Sequence, residues 1–332
     1  MAACGSGTSR SPSRAVVLER DGIIELREGF NAVSTAQASL QESIAALARR
    51  ASVETSTRNL ADIDSYSSLL PAGTDVFVTW LPGMPYHHAV SVAKRLRHVG
   101  MNPVPHVAAR MLASREAAAD FLGRLRGEAQ VTRALVISGD AAVPVGPYDS
   151  SLSLLETGLL QEHGIRSVGI AGYPEGHPRI PAAKLQDVLD AKISWASRSG
   201  SDLFIVSQFC FDGQAILDWL KQLRSRGVSL PVRVGVAGPA TVRALIHYGM
   251  RCGIGNSLRA LGSHGISLTR LLVQHGPEQV VHRIAQSGAG SGIAGLHLFP
   301  FGNFAQSARW LEAVRAGRFQ LGEPGAGFVL QG

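Results

Sequence analysis

From Ala51 onward the chain repeats one pattern: a short run of consecutive apolar, often β-branched residues, a turn, then a longer stretch whose apolar positions recur every three or four residues. Short runs of this kind suit strands buried on both faces of a parallel sheet, and the longer stretches suit helices with one apolar face. Strands are predicted at Ala51–Thr55, Asp75–Trp80, Pro103–Val107, Ala134–Ser138, Ser167–Ala171, Leu203–Gln208, Val232–Ala237 and Gly295–Phe301. Between them helices are predicted at Tyr86–His98, Ser114–Leu125, Ser151–His163, Ala182–Ser197, Gly213–Arg226, Pro239–Tyr248 and Ser267–Ala285, while Ser56–Gly73 offers only a short Leu60–Leu70 piece. Ahead of the first strand, Ala38, Leu40, Ile44 and Leu47 give Ser34–Arg50 the spacing of an amphipathic helix. Strand and helix in alternation predict an α/β protein, a (β/α)8 TIM barrel with one extra N-terminal helix; a doubly wound open sheet is the other way to arrange the same units. No Gly-x-Gly-x-x-Gly follows the first strand, which argues against the open sheet. The barrel is expected over residues 34–320, after an extension at 1–33 and before a tail at 321–332.

The stretch Asp202–Leu217 concentrates the functional signal. Leu203–Val206 is a buried strand, Gln208 breaks its polarity, and Asp212 is placed to cap the helix that follows. Polar groups at strand ends are how a barrel presents ligand-binding residues, and the predicted ends here carry Glu54, Thr79, His106, Asp140, Tyr173, Gln208, the Gly238–Pro239 turn and the neighbourhood of His297 and Asn303. Gln208 either contacts a ligand or satisfies its own loop. Glu54 in an apolar mouth would have its pKa raised by desolvation, as a general acid requires, or it is a solvated strand terminus. His106 reads alone as a hydrogen-bonded structural residue. Gly139, in Ser138-Gly139-Asp140, would let the backbone approach a bound molecule closely. Cys252 to Ser257 reads as a turn more readily than as a phosphate cradle. Adjacent His87 and His88 make no metal set, and no metal is expected.

Composition narrows the class. The chain has 332 residues, 45% hydrophobic and 17% charged, enough for a sizeable core, and no apolar run approaches a membrane span. Its formal charge of +7 comes from scattered arginines, with only Lys94, Lys184, Lys192 and Lys221 as lysines, so anionic small molecules are better partners than nucleic acid. Three cysteines without metal-ligand spacing suit a reducing, cytoplasmic setting. The acid-free, Ser- and Arg-containing first eighteen residues are expected to be a frayed terminus rather than a transit peptide.

Ser52-Val-Glu54, Val78-Thr-Trp80, Pro105-His106, Ser138-Gly-Asp140, Gly172-Tyr-Pro-Glu-Gly-His-Pro178 and Ser207-Gln-Phe-Cys-Phe-Asp212, in this order, resemble the methylenetetrahydrofolate reductase family, flavin-containing (β/α)8 barrels. The resemblance runs from about Ala51 to Phe304. It implies FAD as cofactor, NADH or NADPH as co-substrate and a folate as substrate, 5,10-methylenetetrahydrofolate being reduced to 5-methyltetrahydrofolate in one-carbon metabolism by a homo-oligomer. Glu54 matches the general acid, Asp140 the aspartate near flavin and pterin, and Gln208 a folate-binding glutamine. Thr79, Trp80, His106, Ser138, Gly139, Asp140, Tyr173, His177 and Asp187 fall on cofactor positions, with Lys192 standing in for a lysine expected near Ser194. Departures are Thr55-Ser-Thr-Arg58 where aromatic residues and prolines are usual, Trp80 for tyrosine, and Ser138 and Asn303 for arginines, Asn303 being the candidate at the folate tail. The same resemblance admits a catalyst of the reverse reaction or a non-catalytic folate- or flavin-binding partner. A phosphate-binding lyase using Gly253 to Ser257 is a further alternative.

Overall fold

The computed structural model describes residues 36–252, 274–287, 292–323 and 327–331. The chain divides into two compact units, Met1–Ser39 and Leu40–Gly332. Of the first, residues 36–39 are described and are helical; in the second, residues 40–49 are helical and lead to the barrel.

The eight barrel strands are β1 (Ser52–Ser56), β2 (Asp75–Thr79), β3 (Asn102–Ala108), β4 (Arg133–Ile137), β5 (Ser167–Gly172), β6 (Asp202–Ser207), β7 (Val232–Ala237) and β8 (Ile293–Phe299). They close in sequence order, every pairing parallel, with β1 against both β2 and β8. The TIM barrel predicted from the alternation is therefore the fold. Outward positions such as Val53, Val76, Val78, Val136 and Val234 are fully buried under the surrounding helices, each contributing about 1.5–3 kcal/mol. Inward positions form a second core of Phe77, Val104, Leu135, Phe204 and Val206 that plugs the barrel. Below that plug, Asp75 Oδ2 accepts from Arg133 Nη1 and Arg233 Nη2, both at 2.6 Å, tying three strand beginnings together.

The helices depart from expectation where glycine and proline intervene. Ser151–His163 is two short helices, Ser151–Leu155 and Leu159–Glu162, because Gly158 takes a left-handed φ of +78° that a continuous helix excludes. Of the helix predicted at Ser267–Ala285, residues 267–273 lie outside the described residues. The remainder begins with a two-residue strand, Gln274–His275, pairing with Ala240–Thr241, and turns helical only at Glu278–Gln286 after Pro277. Ala240–Thr241 likewise delays the helix predicted from Pro239 to Val242–Cys252. Also not anticipated were the helix Phe304–Arg315, capped by Asn303, and an antiparallel pair, Phe319–Leu321 with Phe328–Leu330.

Gly169 tests the interior packing. A Cβ there would sit 2.7 Å from Phe204 Cζ and 3.1 Å from Leu135 Cδ1, so the glycine makes room for the central ring. Gly169→Ala is expected to lower stability by about 1–3 kcal/mol through overpacking, read as a reduced denaturation midpoint, and Gly169→Ala combined with Phe204→Leu is expected to recover part of the loss.

Candidate active site

Strand alternation decides which side chains meet at the carboxyl end of the barrel. On β1, Ser52 and Glu54 face inward while Val53 joins the outer core and Thr55 hydrogen-bonds the buried Tyr66 hydroxyl at 2.8 Å. On β2 the inward position beside Glu54 is Thr79, whose Oγ1 donates to Glu54 Oε1 at 2.6 Å. On the neighbouring strand β8, His297 places Nε2 3.4 Å from Glu54 Oε2, and its Nδ1 lies 2.9 Å from Ser52 Oγ, which also donates to the Leu296 carbonyl at 3.3 Å. His106, on β3, brings Nε2 within 3.7 Å of the same carboxylate oxygen. That nitrogen is buried and has no hydrogen-bond partner.

The result is a carboxylate among two imidazoles and a hydroxyl, with 19% of the Glu54 side chain still exposed and His297 fully enclosed. Burial pushes the Glu54 pKa up, but the hydrogen bond from His297, the charges of His106 and His297 and the Thr79 hydroxyl together outweigh it and hold the carboxyl below its usual value. This corrects the expectation of a raised pKa. The sequence places Glu54 in an apolar mouth, whereas its partners on β3 and β8 are distant in the chain. Burial lowers the His106 pKa, against the raising influence of Glu54, so this imidazole favours its neutral form.

The remaining predicted residues lie along the mouth and the elements after β4 and β5. Gly139 turns there with φ +89°, and a Cβ would meet Ala108 Cβ at 3.0 Å. The Ser138 hydroxyl accepts the N–H of Ser151, and Arg110 holds the following loop through the carbonyls of Ala142 and Asp149. Tyr173 has its pKa raised by burial and by nearby Asp140, and its ring meets His177 edge-on at 5.1 Å. His177, depressed by burial, accepts the Arg179 N–H. On the helix Ala182–Ser199, Asp187 is exposed, while Lys192 is buried and its pKa is lowered by that burial to about 8. Trp80 turns outward instead: its Nε1 donates to the Met84 carbonyl and its ring packs on Phe121 at 5.3 Å. Gln208 Oε1 accepts the Phe209 N–H, and Asn303 caps its helix by accepting from Gln306 N.

Sequence reasoning named His297 only as part of a neighbourhood and overlooked Ser52 as its partner. It also overlooked an aromatic wall above them, in which Phe209, Phe299, Phe301 and Tyr248 pack ring on ring, Tyr248 and Phe301 being stacked at 4.6 Å. Phe301 holds a left-handed φ of +48°, a conformation that costs a non-glycine residue of order 1 kcal/mol and recurs at functional sites. The cluster of aromatic residues in Phe299-Pro-Phe301 was the available signal. The segment Gly253 to Ser257 lies outside the described residues. Among the described residues no group of three or more His, Cys, Asp or Glu is arranged to hold a metal ion, and no helix is long and apolar enough to cross a membrane.

Residues 55–250 match the family model for methylenetetrahydrofolate reductase. Over 83 residues, 24% of this chain, the sequence is 31% identical to "Methylenetetrahydrofolate reductase 2" of Saccharomyces cerevisiae; the match spans 13% of that protein's length. Among solved structures, dihydropteroate synthase from Thermus thermophilus is similar with a TM-score of 0.43 and 13% identity, over 80% of this chain and 92% of that one.

Two measurements check the electrostatics of the site. His297→Leu removes the donor but leaves the burial, so the Glu54 pKa is expected to rise, visible as an upward shift in the carboxylate titration by difference infrared spectroscopy against Glu54→Gln as blank; an unmoved titration would show that His297 does not hold the charge. For His106, the folded pKa lies below the ordinary 6.5, so the unfolded chain takes up the proton first and stability is lost as pH falls below about 6.5. His106→Gln is expected to flatten the stability profile in that window, measured by denaturant midpoint against pH.

Proposed function

The chain belongs to the methylenetetrahydrofolate reductase family, and we propose that it reduces 5,10-methylenetetrahydrofolate to 5-methyltetrahydrofolate with NADH or NADPH, using FAD and with Glu54 as the acid. The observation that carries this reading is the Glu54 carboxylate at the barrel mouth, bracketed by Thr79, His106 and His297 and overlooked by an aromatic wall. The pyrimidine ring of a tetrahydropterin is flat, and the Phe299–Phe301–Tyr248 surface suits stacking against it.

The donor set fits a flavin. His106 has a buried nitrogen without a partner, Gly139 allows close approach of backbone, Asp140, Tyr173 and His177 group beside it, and buried Lys192 supplies a cation for a phosphate. When bound, FAD would accept hydride from the nicotinamide and deliver it to the folate carbon. The protein's own part is positioning and proton supply. Opening the substrate's five-membered ring requires a proton on the departing nitrogen, and Glu54 is the carboxyl placed to give it. In the free protein that carboxyl is held in its charged form. A ligand seated over the mouth would remove its remaining exposure, increasing desolvation and returning the proton affinity toward that of an acid at work. His297, hydrogen-bonded on its far side by Ser52, is the group through which a proton can be replaced.

A second reading, a folate- or flavin-binding partner without turnover, is favoured by Ser138 and Asn303, which stand where arginines are expected and are committed to local backbone contacts. Glu54→Gln separates the two. In an enzyme, folate turnover is expected to fall by about 10²–10⁴-fold while bleaching of bound flavin by NADH or NADPH persists; folate inactivity in both wild type and variant would favour the partner, and protein that fails to bind FAD would end the flavin reading. Lys192 gives an independent check. Its ammonium is lost above about pH 8, so FAD affinity is expected to weaken above that pH in the wild type and to hold in Lys192→Arg, measured by quenching of flavin fluorescence.

A further inference from the structure

The opposite end of the barrel holds a second polar feature with no part in the folate reading. Where β1, β2, β7 and β8 begin, a cavity of about 360 Å³ opens, lined among others by Arg49, Arg50, Thr74, Asp75, Arg233 and Arg315. Its volume is within the range of small-ligand sites. The strand-beginning face of a barrel ordinarily serves stability, and a cluster built only for that would balance its charges. This one does not. Arg49, Arg50, Arg233 and Arg315 line it with Asp75 as the one lining carboxylate; Arg49 is also paired with Glu42, and Asp75 is shared between Arg233 and Arg133. Glu312, which also acts on Arg315, is engaged by Arg318.

Two of these guanidiniums are fixed in place. Arg233 donates from Nη1 to the Arg50 carbonyl at 3.0 Å and from Nη2 to Asp75, and Arg315 donates from Nε to the Ala48 carbonyl at 3.1 Å. Arg315 Nη1 is buried and has no acceptor. Burial lowers the pKa of both arginines, the mark of charge held away from water without full compensation. An unmet charged donor in such a place costs more than an ordinary lost hydrogen bond.

We propose that this cavity binds a small anion carrying a diphosphate group, its oxygens taken by the guanidiniums of Arg315 and Arg50 while Arg233 remains with Asp75. Four guanidiniums line this small space against one lining carboxylate, Asp75, and the planar guanidinium fork matches phosphate oxygens two at a time. The diphosphate could be free or part of a nucleotide.

Isothermal titration of the intact protein with inorganic pyrophosphate, at low ionic strength so that screening is weak, tests the assignment. Saturable one-to-one binding is expected, with Arg50→Gln and Arg315→Gln each weakening it by about tenfold or more, as loss of a charge-assisted contact does. Because Arg315 also holds the Ala48 carbonyl, Arg315→Gln could disturb the fold; the exposed Arg50 side chain makes Arg50→Gln an independent arm. Tighter binding of ADP than of pyrophosphate assigns a nucleotide, and the reverse assigns free diphosphate. Equal binding of citrate would overturn the phosphate assignment. Absence of saturable binding, an unchanged affinity in Arg50→Gln, or loss of binding in Lys192→Met alone, which would move the anion to the mouth, would overturn the site itself.

Discussion

Closing eight parallel strands into a barrel sends alternate side chains into a space that must be filled, and this alternation is the constraint on which the molecule depends. It assigns Val53 and Thr55 to the helical layer and Ser52 and Glu54 to the interior; a slip of one residue on β1 would exchange the two sets. The register of β1 against β8, with Ser52 opposite His297, brings the serine hydroxyl to the imidazole. The register against β2, with Ser56 opposite Thr79, brings the threonine up to Glu54. The candidate site is thus a direct product of strand pairing, and the loops add to it rather than create it. Thr55 locks the arrangement from outside, since its Tyr66 partner is stacked on Phe304 at 3.7 Å.

Within that frame the charge on Glu54 reflects opposing effects. An apolar surrounding alone would favour the neutral acid, and the plug of Phe77, Val104, Leu135 and Phe204 supplies such a surrounding from below. Three polar neighbours reverse the outcome. Each contact is modest, the His297 distance of 3.4 Å and the His106 distance of 3.7 Å being longer than strong hydrogen bonds. A balance struck between large desolvation and several ordinary contacts is easily shifted by a ligand that covers the open side of the mouth. A carboxyl locked by a bidentate arginine would lack that responsiveness.

Much of the barrel was legible because buried parallel strands write themselves as continuous apolar runs, and all eight runs proved to be strands within a residue or two at their ends. What escaped depended on local geometry or on distance. Gly158 breaks a helix whose apolar periodicity runs straight through it, and periodicity carries no information about φ. The helix Phe304–Arg315 begins directly behind the last strand, in a stretch for which no element was predicted. Glu54 was visible as a carboxyl at a strand end, but the direction of its pKa was not, because His297 lies 243 residues further along. Trp80 shows the same limit from the other side: the family resemblance puts it at a cofactor position, while strand alternation turns its indole into the outer core.

The two arginine positions that the family resemblance expects are instructive for the same reason. Ser138 receives the N–H of Ser151 at the start of a short helix, and Asn303 occupies the N-cap of Phe304–Arg315. Small residues with an oxygen acceptor serve helix starts well, and a guanidinium, which has no acceptor atom, cannot take their place. On the resemblance, both positions hold an anchored helix beginning where a cation is expected. The positive charge that a phosphate-bearing ligand would need is left to groups such as Lys192, whose burial makes its charge dependent on pH where an arginine's would be constant.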